Sequence, residues 1–278
     1  MNELNQKIAK FYNTSTPLWL DVWGEHMHQG YYGKSGTDKK NHKQAQIDLV
    51  AELIKWGGVQ HTENIFDAGC GVGGSARYLS KKFGSNVTGY TLSHVQASKA
   101  KQINDAEGFQ NKIRIIEGDM LSINPENEKF DLIWSLESAE HIFEKEKLIK
   151  LFYDLLNPGG KMIIGTWCVR NENPAFSKSE IRLINKVRRN YHLPPMISID
   201  NYKRIAEKTG FKNVVGEDWS KMVVPFWDAV YSSALKWKSL AGLIRAGLPA
   251  IKGAFTIRHM KKGYRTGIIQ FGVLQAEK

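Results

Sequence analysis

Cysteine and long apolar runs are both scarce in this chain. Only Cys70 and Cys168 occur among the 278 residues, so we expect no disulfide framework and a reducing compartment. No run reaches the roughly 18 apolar residues that a membrane-spanning helix needs. Cysteine and histidine do not cluster at ligand spacing, so we expect no metal site. Residues 1–7 lack the apolar core of a secretion signal and are too short and acidic for a transit peptide, which predicts a cytoplasmic protein.

Basic residues outnumber acidic ones, so the formal net charge is +11 and the pI is near 9.4. No groove-reading motif accompanies this charge, so we expect no nucleic acid partner. Residues 231–278 carry nine lysines and arginines against one acid, Glu277, and interleave them with apolar side chains. This basic C-terminal cap predicts peripheral contact with an anionic membrane. The alternative is a solvated lysine face on a helix whose apolar side closes the core.

The most informative stretch is residues 65–74, an apolar strand that ends in Asp67 and runs into a glycine-rich loop before a helix. Such a loop lets backbone approach a ligand closely, and the helix start offers unpaired N–H groups. A dinucleotide site would place an acid about 20 residues on, at the tip of the next strand. That strand, 86–90, runs instead into Thr91 and Leu92, so a dinucleotide is disfavoured. Asp67 suits a ligand with a cationic amino-acid end.

Further strands follow at regular intervals and predict the fold class. Apolar runs over 113–120 and 130–135 read as strands three and four, and 211–216 and 267–274 as strands six and seven. Residues 155–164 read as the end of a helix, a Pro-Gly turn and then strand five. We therefore predict an α/β, Rossmann-like, seven-stranded, mostly parallel sheet with helices on both faces. Residues 1–60 form an N-terminal helical extension or lid. Residues 61–278 form the main domain, with cap insertions at about 171–210 and 219–264.

The motifs resemble those of class I S-adenosylmethionine-dependent methyltransferases. The order Asp-x-Gly-x-Gly-x-Gly at 67–73 resembles their motif I, and Gly-x-Thr-Leu-Ser at 89–93 with Gln96 resembles cyclopropane synthases. A closer resemblance is to gamma-tocopherol methyltransferases. It covers essentially the whole chain, including 11–12, 18–19, 22–32, 73–79, 134–141, 166–168, 218–220, 225–227, 234–238 and 251–254. One departure is His94, where proline is expected at a helix start.

The resemblance implies the cofactor S-adenosyl-L-methionine and a set of residues that bind it. Asp119 is implied to face the adenine amino group and Met120 to pack on its ring. Ser135 is an implied binding residue at the end of the fourth strand, and the segment after that strand is implied to lie beside the transferable methyl group. Tyr12 and Tyr31 are implied to lie in the lid near the methionine end of the cofactor. The remaining implied binding residues are Asp67, Gly69, Gly71, Gly73, Thr91, Leu92 and Gln96.

The implied acceptor is a small amphipathic aromatic, most specifically a prenylated, tocopherol-like ring methylated on carbon. Ionising a phenol needs a base. His141 is the first candidate, because an ordinary imidazole titrates near working pH. Glu140 is the second, as base or as the group that orients a histidine, and His28 is the third. Alternatively, His141 is a helix-start residue bonded to backbone and His28 a lid hydrogen bond.

Other functions stay open. One is N- or O-methylation of a natural product such as an alkaloid, and a cyclopropane synthase is a less favoured relative. A nucleic-acid methyltransferase is a more remote alternative, because the Asn-Pro-Pro-aromatic motif of amino-methylating enzymes does not follow the fourth strand. Residues 134–137, Trp-Ser-Leu-Glu, stand there instead. The least specific alternative is a cofactor-binding scaffold without turnover.

Overall fold

Seven strands form one sheet in the order β3-β2-β1-β4-β5-β7-β6, in which β7 is antiparallel to both of its neighbours. The computed structural model describes residues 3–234 and 248–278, with side chains described for 3–230 and 257–278. The strands are β1 (Asn64–Ala68), β2 (Asn86–Thr91), β3 (Ile113–Glu117), β4 (Phe130–Leu136), β5 (Leu156–Val169), β6 (Lys212–Asp218) and β7 (Ile269–Glu277). The predicted fold class is therefore confirmed.

Helices cover both faces of this sheet. They are α1 (Glu3–Trp23), α2 (His42–Trp56), α3 (Gly74–Phe83), α4 (His94–Ala106), α5 (Lys145–Leu155), α6 (Lys178–Tyr191), α7 (Ile199–Thr209), α8 (Ser220–Val223), α9 (Pro225–Ala234) and α10 (Leu248–Arg265). None of the helices within the described part of the chain is long and apolar enough to cross a bilayer.

The alternation of strand side chains divides the core into two layers. In β1, Ile65 packs with residues of α2, α3 and α4, whereas its neighbour Phe66 packs with residues of α5 and α7. In β4, Trp134 belongs to the first layer and Ile133 to the second. Both faces of these central strands are buried, and this explains why they read as continuous apolar runs.

β3, β5 and β7 show how the extents of strands differ from the sequence prediction. β3 ends at Glu117, because Asp119 caps a short 3-10 turn at Met120–Ser122 and its side chain accepts from Leu121 N. The predicted Pro-Gly turn lies within β5 as an irregularity, where the pairing steps from Leu156 to Lys161. β7 begins at Ile269, after a glycine turn, and extends to Glu277.

Strand order fixes where a ligand can bind. β1 pairs with β2 on one side and with β4 on the other, so the connections that leave β1 and β4 diverge. In a doubly wound sheet, such a switch point opens a crevice beyond the carboxyl ends of the strands. α1 extends across this end of the sheet and packs on α4, where it contributes Ile8 and Tyr12 to the wall of the crevice.

Candidate active site

A cavity that is partly open to solvent occupies this crevice. Its walls come from α1, the loop before α2, the glycine loop, the ends of β2 and β3, and the segment after β4. The predicted site residues that line it are Tyr12, His28, Asp67, Gly69, Gly71, Thr91, Leu92, Gln96, Asp119, Met120 and His141. Residues far apart in sequence therefore meet at one place.

Four predicted residues do not line this cavity: Tyr31, Gly73, Ser135 and Glu140. Gly73 is the N-cap of α3 and has φ +83°, so it contributes the left-handed backbone turn that leads into this helix. Ser138 lines the cavity, and the Ser135 hydroxyl lies behind it, 2.9 Å from the Ser138 hydroxyl. The Glu140 carboxylate accepts from the Thr166 hydroxyl at 2.8 Å and so points towards β5.

Tyr31 lies in the core and does not line the cavity, so its predicted place near the methionine end stays a prediction that this position does not support. Its ring packs against Trp219 with the centroids 6.0 Å apart, and its N–H donates to the Ala45 carbonyl at 2.7 Å. The preceding Gly30 explains this position. A Cβ there would lie 2.5 Å from the Ala45 Cβ, so the chain is pressed against α2 and directs Tyr31 inwards.

The glycine loop contains two glycines in different surroundings. Gly69 has φ +89°, and a Cβ there would lie 2.3 Å from the Ser138 Cβ, so this glycine permits close packing of backbone on the segment after β4. Gly71 has φ +56°, and a Cβ there would meet no atom of the described residues within 4 Å. Gly71 therefore presents bare backbone to the cavity, as a ligand cradle requires.

Asp67, at the end of β1, is only 2% exposed. Its Oδ2 has no hydrogen-bond partner within the described part of the chain, and burial raises the pKa of this carboxyl to about 7. An unpaired buried carboxylate is costly, and an opposite charge brought into the cavity would relieve that cost. The site therefore favours a cationic group at Asp67.

The end of β2 carries a polar network instead of an acid. The Thr91 hydroxyl donates to Gln96 Oε1 at 2.8 Å, and the Ser93 hydroxyl caps α4 by accepting from Gln96 N. The Ser93 hydroxyl also donates to Asn13 Oδ1 of α1 at 2.6 Å. α4 begins at His94, as expected for a position that contributes only a helix start.

Asp119 faces the cavity from the end of β3, and α1 reaches over it. Its Oδ1 accepts from Leu121 N at 3.0 Å, and its Oδ2 accepts from the Asn5 side-chain amide at 2.7 Å. Asn5 is itself buried. The N-terminal helix is thus fixed directly to a cavity residue.

The loop before α2 contributes two histidines to the wall. The His28 Nδ1–H donates to its neighbouring carbonyl, Gln29 O, at 2.7 Å, because a carbonyl can only accept. Neutral His28 therefore accepts at Nε2 from the His26 Nδ1–H at 3.2 Å. Burial lowers the pKa of His28 to about 3 and that of His26 to about 4, so both imidazoles are neutral.

Two buried side chains hold this loop in place. The Gln46 amide of α2 donates to the His28 carbonyl at 2.9 Å and also to the His26 carbonyl. The Arg77 guanidinium of α3 pairs with Glu25 at 2.5 Å and donates to the Val72 carbonyl at 2.9 Å. The loop and the glycine turn are therefore joined through one buried arginine.

His141 lies opposite this loop and contacts α1 through a hydrogen bond with Tyr12. The Tyr12 hydroxyl and His141 Nε2 are 2.9 Å apart, while His141 Nδ1 has no partner within the described part of the chain. Burial lowers the pKa of His141 to about 3, with a further contribution from the positive charge of Lys145. The expectation that His141 titrates near neutral pH stays a prediction, and burial acts against it because it removes the solvation of the charged form.

A buried lysine braces the turn that presents His141. The Lys145 ammonium donates to the carbonyls of Ala139 at 2.7 Å and Glu140 at 3.1 Å, and also to that of Ile142. Burial lowers the pKa of Lys145 to about 8 and raises that of Glu140 to about 7. Glu140 thus helps to stabilise the turn, through its carbonyl bond to Lys145 and its carboxylate bond to Thr166.

Glu137, unlike Glu140, lines the cavity. It has φ +52°, which is rare for a residue with a side chain and marks a constrained position. Its Oε1 accepts from Gln29 N at 2.6 Å and its Oε2 from the Trp167 indole N–H at 3.0 Å. Burial raises the pKa of Glu137 well above its ordinary value, and the negative charge of Glu140 adds to the rise.

Sequence reasoning did not assign binding or catalytic roles to several lining residues: Glu25, His26, Met27, Glu137, Ser138 and Ile142. The position of Glu137 directly after β4 was a usable signal, because ligands bind at the carboxyl ends of parallel strands. For Glu25 and His26 no such signal existed. Their place depends on the contacts of the loop with α2 and α3.

Comparisons with known proteins agree with this arrangement. A methyltransferase domain model matches residues 39–215, more than half of the chain. The tocopherol O-methyltransferase of Arabidopsis thaliana is 39% identical over 99% of this chain and 82% of its own. The norajmaline N-methyltransferase of Rauvolfia serpentina is 27% identical over 100% of this chain and 99% of its own.

The fold is shared with the cyclopropane synthase MmaA2 of Mycobacterium tuberculosis. Its structure superposes with a TM-score of 0.86 at 19% identity, and the match covers 100% of each chain. The motifs, the strand order and the sequence relatives thus lead to one conclusion. This chain belongs to the class I S-adenosylmethionine-dependent methyltransferases, in the group that contains the tocopherol O-methyltransferases.

Proposed function

We propose that this enzyme methylates a ring carbon of a prenylated phenol of the tocopherol class. The observation that carries the choice of acceptor is the 39% identity to the Arabidopsis tocopherol enzyme, which extends over 99% of this chain. The printed name of that relative specifies oxygen. We propose carbon because an ionised phenol also carries its negative charge on the ring carbons ortho to oxygen.

The residues present fit S-adenosyl-L-methionine. The unpaired Oδ2 of Asp67 suits the cationic amino group, and the bare backbone at Gly71 allows close approach. We propose that Thr91 and Gln96 hold the ribose and that Asp119 and Met120 hold the adenine. When bound, this cofactor supplies an electrophilic methyl group, so the protein must place and activate the acceptor. Orientation alone can lower a barrier by roughly 7–11 kcal/mol.

We propose Glu137 as the group that accepts the phenolic proton. A phenol has a pKa of about 10, so a neutral imidazole with a pKa of about 3 is a poor acceptor for its proton. The raised pKa of Glu137 makes its carboxylate a stronger base than an exposed one. Its two hydrogen bonds, from Gln29 and Trp167, fix the carboxylate in position.

The three candidates named from sequence take other roles in this proposal. His141 and Tyr12 form a bonded pair that closes the cavity under α1 and orients the acceptor. His28 orients the loop above them. Glu140 acts at a distance, through the turn that carries His141. We further propose that α1 is a lid that excludes water during transfer.

The acceptor is tested by a screen with labelled S-adenosylmethionine. Gamma-tocopherol, delta-tocopherol and a panel of indole and benzylisoquinoline amines are offered, and the methylated atom is located by mass spectrometry and NMR. Methyl transfer to a chromanol carbon is the expected result. A product methylated only on oxygen or nitrogen, or no turnover of either tocopherol, would contradict the proposal.

Methylation of an alkaloid nitrogen is the second candidate. It is favoured by the match to the norajmaline enzyme over the full length of both chains. A carboxylate at Glu137 would also suit an amine, since an ammonium group pairs with it and can pass it a proton. Exclusive activity on amines in the same screen would establish this alternative.

The proposed base is tested by Glu137→Gln, which keeps the shape of the side chain. We expect kcat to fall by about 10²–10⁴-fold. In the parent enzyme, activity should rise with pH above the ordinary carboxyl range, because Glu137 must be ionised to accept a proton, and the variant should lose this rise. Glu144→Gln, at an exposed position outside the cavity, is the matched control. Equal activity of both variants would remove Glu137 from this role.

We also propose peripheral contact with an anionic membrane. The stretch first predicted to make it lies largely outside the described residues, since 235–247 and the side chains of 248–256 are not described. Within the described part, Lys261 pairs with Asp228. The cytoplasmic location also stays a prediction.

A further inference from the structure

A cationic stripe runs along the outer face of α6. Lys178, Arg182, Lys186 and Arg189 recur at every third or fourth position, so they fall within an arc of about 80° around the helix. All four are exposed. Leu183 and Val187 on the opposite side are buried in the core. The helix is thus amphipathic, and its outer face carries one sign of charge.

Within the described part of the chain, no Asp or Glu lies within 4.0 Å of any of these four cationic groups. The one acid in the helix, Glu180, is engaged by Arg170 at 2.9 Å and by the Ser177 N–H at 2.7 Å. Arg182 and Arg189 each direct Nε to a carbonyl of the preceding turn. Their terminal guanidinium nitrogens stay available to a partner.

Neighbouring elements extend the positive charge on both sides of α6. On α10, the pKa of His259 is lowered by burial and then by the positive charges of Lys186 and Lys262. Beyond the end of α6, the pKa of His192 is lowered by burial and then by Lys7 of α1. The face is therefore a surface of several elements, with α6 in its middle.

Two apolar side chains accompany the charges. Ile181 is 45% exposed beside Arg182. Leu4 of α1 lines an open groove together with Arg182, Lys186 and Arg189. Cations that surround apolar tips suit the surface of an anionic bilayer, where the charges meet headgroups and the tips enter between them. Single-stranded nucleic acid would instead require exposed aromatic side chains for stacking, and the stripe has none.

We infer that the outer face of α6, flanked by α1 and α10, is the surface on which this enzyme docks to an anionic lipid bilayer. Phe11 of α1 packs edge-on against Tyr191 and His192 at the end of α6, with ring centroids 6.3 and 5.7 Å apart. α1 also carries Tyr12 on the cavity wall. Docking on this face therefore brings the proposed lid next to the membrane, the source of a lipophilic acceptor.

The test measures binding of the full chain to vesicles and needs no assumption about the acceptor. Sedimentation compares phosphatidylcholine vesicles with and without phosphatidylglycerol, at low and high salt. The variant is Arg182→Gln/Lys186→Gln/Arg189→Gln. Lys81→Gln/Lys82→Gln/Lys101→Gln, three exposed lysines of α3 and α4 that form no ion pair within the described residues, is the charge-matched control. Thermal melts confirm that both variants fold.

The expected result is salt-sensitive binding to anionic vesicles that falls roughly 100-fold in the α6 variant, at about fivefold for each charge removed. The binding of the control variant to anionic vesicles should fall by less than about tenfold. Equal losses in both variants would show that only net charge matters and would overturn the inference. Equal binding to neutral vesicles, no binding at physiological salt, or binding of the stripe to an oligonucleotide in preference to vesicles would also overturn it. Failure of the tocopherol screen would leave this result unaffected.

Discussion

Replacement of two nearby glycines of the glycine loop by alanine should affect different properties, stability at Gly69 and cofactor binding at Gly71. Gly69 has φ +89°, and an added Cβ would lie 2.3 Å from the Ser138 Cβ and 2.8 Å from its Oγ. Ser138 cannot easily move, because its hydroxyl is bonded to the Ala68 carbonyl and to Ser135. Gly71 has φ +56°, and an added Cβ would touch nothing among the described residues within 4 Å.

The magnitudes follow from these contacts. Left-handed backbone costs an alanine about 1–2 kcal/mol at either position. Overpacking at Gly69 adds about 1–3 kcal/mol. Gly69→Ala should therefore lower the melting temperature by roughly 2–5 °C more than Gly71→Ala. Gly71→Ala should instead weaken cofactor binding, because its methyl group points into the space that we assign to the ligand.

Differential scanning calorimetry of both variants measures the first effect, and titration calorimetry with S-adenosylhomocysteine measures the second. Equal melting temperatures for the two variants would refute the packing argument at Gly69. An unchanged affinity in Gly71→Ala would refute the placement of the cofactor against this loop.

Two further predictions concern Asp67 and Tyr12. Burial raises the pKa of Asp67 to about 7, so the stability that its uncharged form contributes is present below about pH 4 and is lost as pH rises through about 7. The side chain in Asp67→Asn stays uncharged, so the melting temperature of this variant should fall less than that of the parent between pH 4 and 7. Its affinity for S-adenosylhomocysteine should fall about 10–100-fold. Parallel melting profiles of variant and parent would count against the burial argument. Tyr12→Phe removes the bond to His141 and should lower turnover about 2–10-fold with little change in melting temperature. Tyr153→Phe, on α5 outside the cavity, is its control, and equal turnover of the two variants would show that the pair has no part in catalysis.

Much of the region that we propose to bind the cofactor could be predicted from the sequence, because local rules determine its structure. Asp67 follows a buried strand, Gly71 needs a left-handed backbone, and Ser93 caps α4, all within a few residues. Asp119 likewise follows β3 and caps its own turn. Since parallel strands end at one edge of a sheet, knowledge of the strands sufficed to gather these residues.

The region proposed to hold the acceptor depended on contacts that no local pattern shows. Glu137 and Glu140 both follow β4 and are chemically alike, yet only Glu137, which has a positive φ, lines the cavity. Tyr31 seemed to belong to the lid, yet the contact of Gly30 with α2 sends it into the core. In both cases the deciding contact lies with a distant element.

By itself, the sequence determined the sheet, its glycine loop and the kind of cofactor, because periodicity and turn chemistry act over short stretches of chain. Only the tertiary structure decided the protonation of the site. His141 was expected to titrate near neutral pH, but enclosure by α1 and the charge of Lys145 lower its pKa to about 3. Enclosure beside Glu140 raises the pKa of Glu137 instead. Desolvation acts on both groups, and it depends on which distant segments cover a side chain, which becomes defined only when the chain has folded.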